Sequence, residues 1–121
     1  MFTITKSFRF EAAHVLPKHA GKCARLHWHS FVGRLVLRGE SLRSGGSEDG
    51  MLQDFGAVSA AVGSVLDSHL DHRFLNDTLP MESPTSEAVA RWLYERLKPE
   101  LPMLAAVEVD ETCTSSARYE P

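Results

Sequence analysis

Cys23-Ala24-Arg25-Leu26-His27-Trp28-His29-Ser30-Phe31-Val32-Gly33-Arg34-Leu35-Val36-Leu37-Arg38-Gly39 is the stretch on which the reading of this chain turns. From His27 onward the odd positions include His27, His29, Phe31, Leu35 and Leu37, while Arg34 and Arg38 fall on even ones. Side chains on a strand alternate between faces, so 27–39 reads as a half-buried strand with one apolar face. Both histidines share that face. Two imidazoles side by side suit a transition metal, and zinc is the commonest candidate for nitrogen donors. The competing reading is that His27 and His29 are ordinary polar residues on a half-exposed strand.

Residues 2–14 bear on that choice. Phe2, Ile4, Phe8, Phe10 and Ala12 share one parity, with Thr3, Thr5, Ser7, Arg9 and Glu11 opposite and Lys6 as the exception. His14 carries the parity of the apolar set. Antiparallel pairing of the two strands makes His14 a near neighbour of His27 and His29. Three inward imidazoles at one end of a hairpin need partners. Three histidines also fill three positions of a tetrahedral zinc site and leave the fourth open, as in catalytic sites. The loop Pro17-Lys18-His19-Ala20-Gly21-Lys22 carries Cys23 toward this cluster. A thiol near a cation has a lowered pKa and becomes a usable base or nucleophile. A zinc ligand or an inert buried thiol is the alternative, and the pattern does not separate them.

The rest of the chain supplies helices and a second strand pair. Ser41 to Gly50, with three Gly and three Ser, reads as a loop. Asp54 caps a helix whose inward stripe is Phe55, Val58, Val62, Val65, Leu66 and His69. Asp71-His72 near its end is either a base with its orienting carboxylate or a histidine interacting with the helix dipole. Ser83-Pro84 reads as an N-cap with Pro at the first helical position. That second helix buries Val89, Trp92, Leu93 and Leu97, and Pro99 stops it. Leu104 to Glu111 is a strand with Ala105, Val107, Val109 and Glu111 on one side, and Thr114 to Tyr119 is its short partner. Glu111 is either a solvated strand-end charge or a carboxylate that accepts two N–H bonds from a heterocycle. His19 and His69 are read as surface or packing residues, and Cys113 as structural. The order ββααββ predicts an α+β fold, with two helices on one face of an antiparallel four-stranded sheet.

Bulk properties narrow the function classes. A chain of 121 residues reads as a single domain over 1–121. With 43% apolar and 24% charged residues and a net charge of −3, nothing points to a nucleic-acid or membrane partner. The N-terminus lacks the charged and apolar regions of a signal peptide, so a reducing cytoplasm is the expected compartment and both cysteines are expected to be free thiols.

The residues together carry a resemblance. Phe10-Glu11-Ala12-Ala13-His14, Cys23-x3-His27-x-His29, Asp54-Phe55, Leu70-Asp71-His72-x2-Leu75-Asn76, Pro84-Thr85-Ser86-Glu87 and Glu111-Thr112-Cys113-Thr114 occur in this order. In these motifs, from about Phe8 to Tyr119, the chain resembles the 6-pyruvoyltetrahydropterin synthase superfamily. It is most similar to the bacterial 6-carboxytetrahydropterin synthases of the queuosine pathway, which share the three-residue spacer between the cysteine and the paired histidines.

The resemblance implies the tunnelling fold (T-fold), whose ββααββ subunits join as trimers around a β-barrel and stack into a homohexamer. It implies zinc bound by His14, His27 and His29. Cys23 would be the general base, with His72 and Asp71 completing a relay. Glu111 would act in catalysis and anchor the pterin ring, helped by Thr85 and Ser86. The implied reaction converts 7,8-dihydroneopterin triphosphate to 6-carboxy-5,6,7,8-tetrahydropterin, with release of acetaldehyde and triphosphate. A 6-pyruvoyltetrahydropterin synthase, which releases no acetaldehyde, is the first alternative. A pterin- or zinc-binding protein without turnover is the second.

One position departs from the family pattern. Trp28 stands where the family usually has Gly. On a strand it points away from the metal, and its ring is expected either in the core behind the site or at a subunit contact. The triphosphate needs cations, and Lys18, Lys22, Arg25 and Arg73 are the nearby candidates.

Overall fold

The computed structural model describes residues 1–121. Strands β1 (Phe2–His14) and β2 (His27–Gly39) pair antiparallel from Phe2↔Gly39 to His14↔His27. The apolar alternation fixes this register, because a slip by one residue would turn every core side chain to solvent. Phe10 and Phe31 face each other across the pair with ring centroids 4.8 Å apart. Phe8 lies over Gly33, where a Cβ would come within 2.1 Å of the Phe8 ring. Only glycine leaves room for that ring.

The helices are α1 (Phe55–Val65), α2 (Leu75–Thr78) and α3 (Ser86–Leu97), and the remaining strands are β3 (Arg73–Phe74), β4 (Leu104–Thr112) and β5 (Ser115–Tyr119). The sheet has five strands in the order β3-β1-β2-β4-β5, with the helices on one face. The fold class is as expected, but the strand count is not four. The extra strand, β3, pairs parallel with Ala12 and Ala13 of β1. A two-residue strand leaves no periodicity to read.

Three further details differ from expectation. Phe55 is 48% exposed, and the buried stripe of α1 is Val58, Ala61, Val62 and Val65. The cap of this helix is Asp54, whose side chain accepts from Gly56 N at 3.2 Å. The cap of α3 is Thr85 rather than Ser83, because the Thr85 hydroxyl accepts from Ala88 N at 3.1 Å. Pro84 then precedes the cap, Trp92 is half-buried, and Ala90 and Tyr94 join Val89, Leu93 and Leu97 inside. In β4, Val36 pairs Ala106 while Leu37 pairs Leu104, so a bulge at Ala105 reverses the parity. Leu104, Val107 and Val109 face the core, and Ala105 does not share their face.

The sheet face away from the helices is polar. Arg34 Nε donates to Glu108 Oε1 at 2.7 Å and Arg34 Nη2 to Asp110 Oδ1 at 2.6 Å, while Arg118 Nη1 reaches Glu108 Oε2 at 2.9 Å. These contacts hold the Glu108 and Asp110 carboxyls below the ordinary carboxylate range and push Arg34 up. No helix is long and apolar enough to cross a membrane.

Candidate metal centre and active site

The register alone places His14 opposite His27, and Ala12 opposite His29. The three imidazoles therefore converge at one end of the β1–β2 pair, with centroid separations of 4.4, 5.2 and 4.8 Å. His14 is fully buried, and its Nδ1 donates to Pro84 O at 2.8 Å. His27 Nδ1 donates to Arg25 O at 2.7 Å. A backbone carbonyl only accepts, so both protons sit on Nδ1 and both Nε2 lone pairs are free. Both Nε2 atoms are buried and have no hydrogen-bond partner. Orphaned acceptors of this kind are costly unless something occupies the space between them.

Glu111 completes the cluster. Its Oε1 lies 3.1 Å from Nε2 of both His14 and His29. Across β4 and β5, Asp110 pairs Ser116 and Thr112 pairs Ser115, so Glu111 is the extra residue of a bulge that re-aims its side chain. One donor atom from each of His14, His27, His29 and Glu111 lies within 4.8 Å of the others. Burial is the largest influence on His29 and holds its pKa down, Glu111 opposes it, and His14 and His27 lower it further. A neutral imidazole is the form that binds a metal. Backbone carbonyls fixing the far nitrogens of His14 and His27 are the usual outer support of such ligands. The residues present fit a metal ion.

Two clefts meet at Glu111. One, of about 420 Å³, is lined by Lys22, Cys23, Arg25, Leu26, His27, Trp28, His29 and Glu111. The other, of about 300 Å³, lies between the start of α3 and β5 and includes Ser86, Glu87, Ser116 and Arg118 with Glu111. Cys23 is half-buried in a one-turn 3₁₀ segment, Lys22–Ala24, and its carbonyl accepts from Leu16 N at 2.9 Å. It belongs to the cleft but not to the donor cluster. Cys113 is an exposed free thiol, not a core residue.

Not every expected site residue joins this assembly. Asp71 Oδ1 accepts from Glu11 N at 2.9 Å and lies 3.1 Å from His72 Nδ1. The Glu11 amide is the main reason that the Asp71 carboxyl is held below its ordinary range. The pair sits against β1 on the side away from β2, and the His72 side chain is 77% exposed. Neither residue lines the Cys23 cleft or bonds to Cys23, so one chain does not assemble the expected relay. The Thr85 hydroxyl is engaged as a helix cap, whereas Ser86 borders the second cleft. Trp28 is not in the core behind the site; it is 61% exposed at the rim. His69 packs its ring at 5.4 Å from Trp92.

Two positioning roles escaped the sequence. Asn76 accepts from Val15 N and donates to Val15 O, both at 2.8 Å, and so clamps the chain just after His14. Pro84 supplies the carbonyl that sets the His14 tautomer. An Asn in the one-turn helix α2 and a carbonyl just before the cap of α3 carry no signal of such a partner.

Comparison with known proteins agrees with this geometry. The family model described as 6-pyruvoyl tetrahydropterin synthase matches residues 3–121. A Synechocystis sp. protein named 6-carboxy-5,6,7,8-tetrahydropterin synthase is 52% identical over 98% of this chain and 93% of its own. A Haemophilus influenzae protein of the same name is 30% identical over 99% of both chains. The solved structure of Caenorhabditis elegans 6-pyruvoyl tetrahydropterin synthase superposes with a TM-score of 0.85 at 28% identity, covering 99% of this chain and 95% of that one. The chain belongs to the 6-pyruvoyl tetrahydropterin synthase family.

Proposed function

We propose that this protein is a zinc-dependent 6-carboxy-5,6,7,8-tetrahydropterin synthase, a carbon–carbon lyase acting in queuosine biosynthesis in the cytoplasm. Its substrate is 7,8-dihydroneopterin triphosphate, and acetaldehyde and triphosphate are released. One observation carries the reading: two buried, partnerless Nε2 atoms, of His14 and His27, face His29 and Glu111 beside the only cysteine of the cleft. The 52% identity to a protein named for this activity supports the carboxy product over the pyruvoyl one.

His14, His27 and His29 hold the zinc. The ion supplies Lewis acidity toward a hydroxyl-bearing side chain, which makes neighbouring C–H protons easier to remove. Cys23 is the base that takes such a proton, and Asp71 orients His72 to pass it on. Glu111 borders both clefts, so it can face the histidines and accept N–H bonds from a pterin ring lying toward Ser86 and Thr85. The working form is a homohexamer of stacked trimers.

Purified zinc-loaded protein is assayed with 7,8-dihydroneopterin triphosphate, measuring acetaldehyde and the pterin product together. Equimolar acetaldehyde and 6-carboxytetrahydropterin are expected. A pyruvoyl product without acetaldehyde assigns the sister activity, and pterin binding without turnover assigns a binding protein.

A further inference from the structure

We propose that Lys22 and Arg25 form the subsite that receives the polyphosphate of the substrate. This rests on the reading of that substrate as a triphosphate ester. Four cations lie near the site in sequence, and the structure separates them. Lys18 Nζ is 3.4 Å from Glu82, and Arg73 Nη2 donates to Asp67 O at 2.8 Å. Lys22 and Arg25 have no ion pair and no side-chain hydrogen bond, and both line the cleft of Cys23, His27 and His29. The one carboxylate in that lining, Glu111, is turned onto His14 and His29 at 3.1 Å and leaves the two cations uncompensated.

The backbone fixes where these cations stand. Ala24 N donates to Gly21 O at 3.1 Å and Arg25 N to Lys22 O at 3.0 Å, closing the turn. Arg25 O accepts from His27 Nδ1 at 2.7 Å, so the turn is tied to an imidazole of the metal cluster. Glu111 borders both clefts, with Ser86 lining one and His27, His29, Cys23, Lys22 and Arg25 lining the other. A ring held near Ser86 and a hydroxylated side chain at the histidines put the phosphate tail at the cation pair. Arginine suits phosphate oxygens through its planar fork, and lysine adds a mobile point charge.

Inorganic triphosphate is titrated by calorimetry into zinc-loaded wild type and Lys22→Gln/Arg25→Gln protein. Bound zinc is quantified afterwards, because triphosphate chelates metals. Wild type should bind saturably and more weakly as salt rises. The double variant should bind at least about tenfold more weakly, and Lys18→Ala should match wild type. KM for the pterin triphosphate should rise by a similar factor while kcat stays within about threefold. The assignment is overturned if wild type fails to bind triphosphate, or if the double variant with its zinc intact binds as wild type does. Wild type that binds triphosphate but does not turn over the pterin overturns the functional reading instead and upholds the subsite.

Discussion

At the scale of single residues, the proposed function divides the cluster into groups that would hold the metal and groups that would serve the substrate. His27→Ala should lose both zinc and turnover, since two imidazoles retain the ion poorly; metal analysis of the purified variant reads this directly. Cys23 lies outside the donor cluster, so Cys23→Ala should keep zinc and pterin binding and lose turnover. Glu111→Ala should keep zinc on the three histidines but lose most pterin affinity. A charge-assisted hydrogen bond contributes roughly 1.5–3 kcal/mol, so the loss should exceed about tenfold. Calorimetry with a non-reacting pterin separates the two variants, and normal binding by Glu111→Ala would reverse the assignment. The convergence of the histidines was legible because parity and pairing are properties of the strand pattern. The contact of Glu111 with His14 and His29 was not, because a bulge decides where that side chain points.

At the scale of elements, the long strands and both main helices could be read, and the irregular joints could not. The bulges in β4 and the two-residue β3 change pairing without changing composition. The end of α1 is similar: Leu66–Leu70 widens into a π turn, closed by Asp71 N to Leu66 O at 2.8 Å. His72 then adopts φ 58° and donates its N–H to Glu11 O at 2.6 Å. That left-handed conformation is unfavourable for a residue with a Cβ. His72→Gly should therefore keep or raise the denaturation midpoint while turnover falls, which two assays on one variant can check. Within the sheet, Gly33→Ala drives a methyl into the Phe8 ring and should destabilise by about 1–3 kcal/mol. In a double-mutant cycle with Phe8→Leu, the two losses should be less than additive.

At the scale of the whole molecule, one chain leaves its sheet and its chemistry open. β3 pairs only Ala12 and Ala13 of β1 and Glu11 bonds to Asp71 and His72, so residues 2–10 have a free edge, and β5 has another. Free edges of this length invite pairing, and closing sheets into a barrel removes them. The polar sheet face carries the Arg34, Glu108, Asp110 and Arg118 network. Arg34 lowers both carboxyls, so their stabilisation is complete above the ordinary carboxylate pKa of about 4 and is lost as pH falls through the lowered folded values. Melting midpoints should hold from neutrality to about pH 5 and fall below it, with a smaller acid-side fall in Arg34→Gln. Light scattering at micromolar concentration should report a trimer or hexamer, and a monomer would contradict the assembly. In the proposed mechanism, the exposed Asp71–His72 pair would give such an assembly a catalytic purpose. It does not line the Cys23 cleft of its own chain, yet a relay needs His72 within reach of the thiol. A neighbouring copy docked on a free edge can bring its pair to that cleft. Cys23→Ala and His72→Ala proteins should each be inactive alone. Unfolded together and refolded, they should regain activity in about a quarter of sites, because that fraction combines an intact Cys23 from one chain with an intact His72 from the next. No recovery, with mixed oligomers verified by native mass spectrometry, would mean that each chain must complete its own relay by moving residues 71–74 toward Cys23.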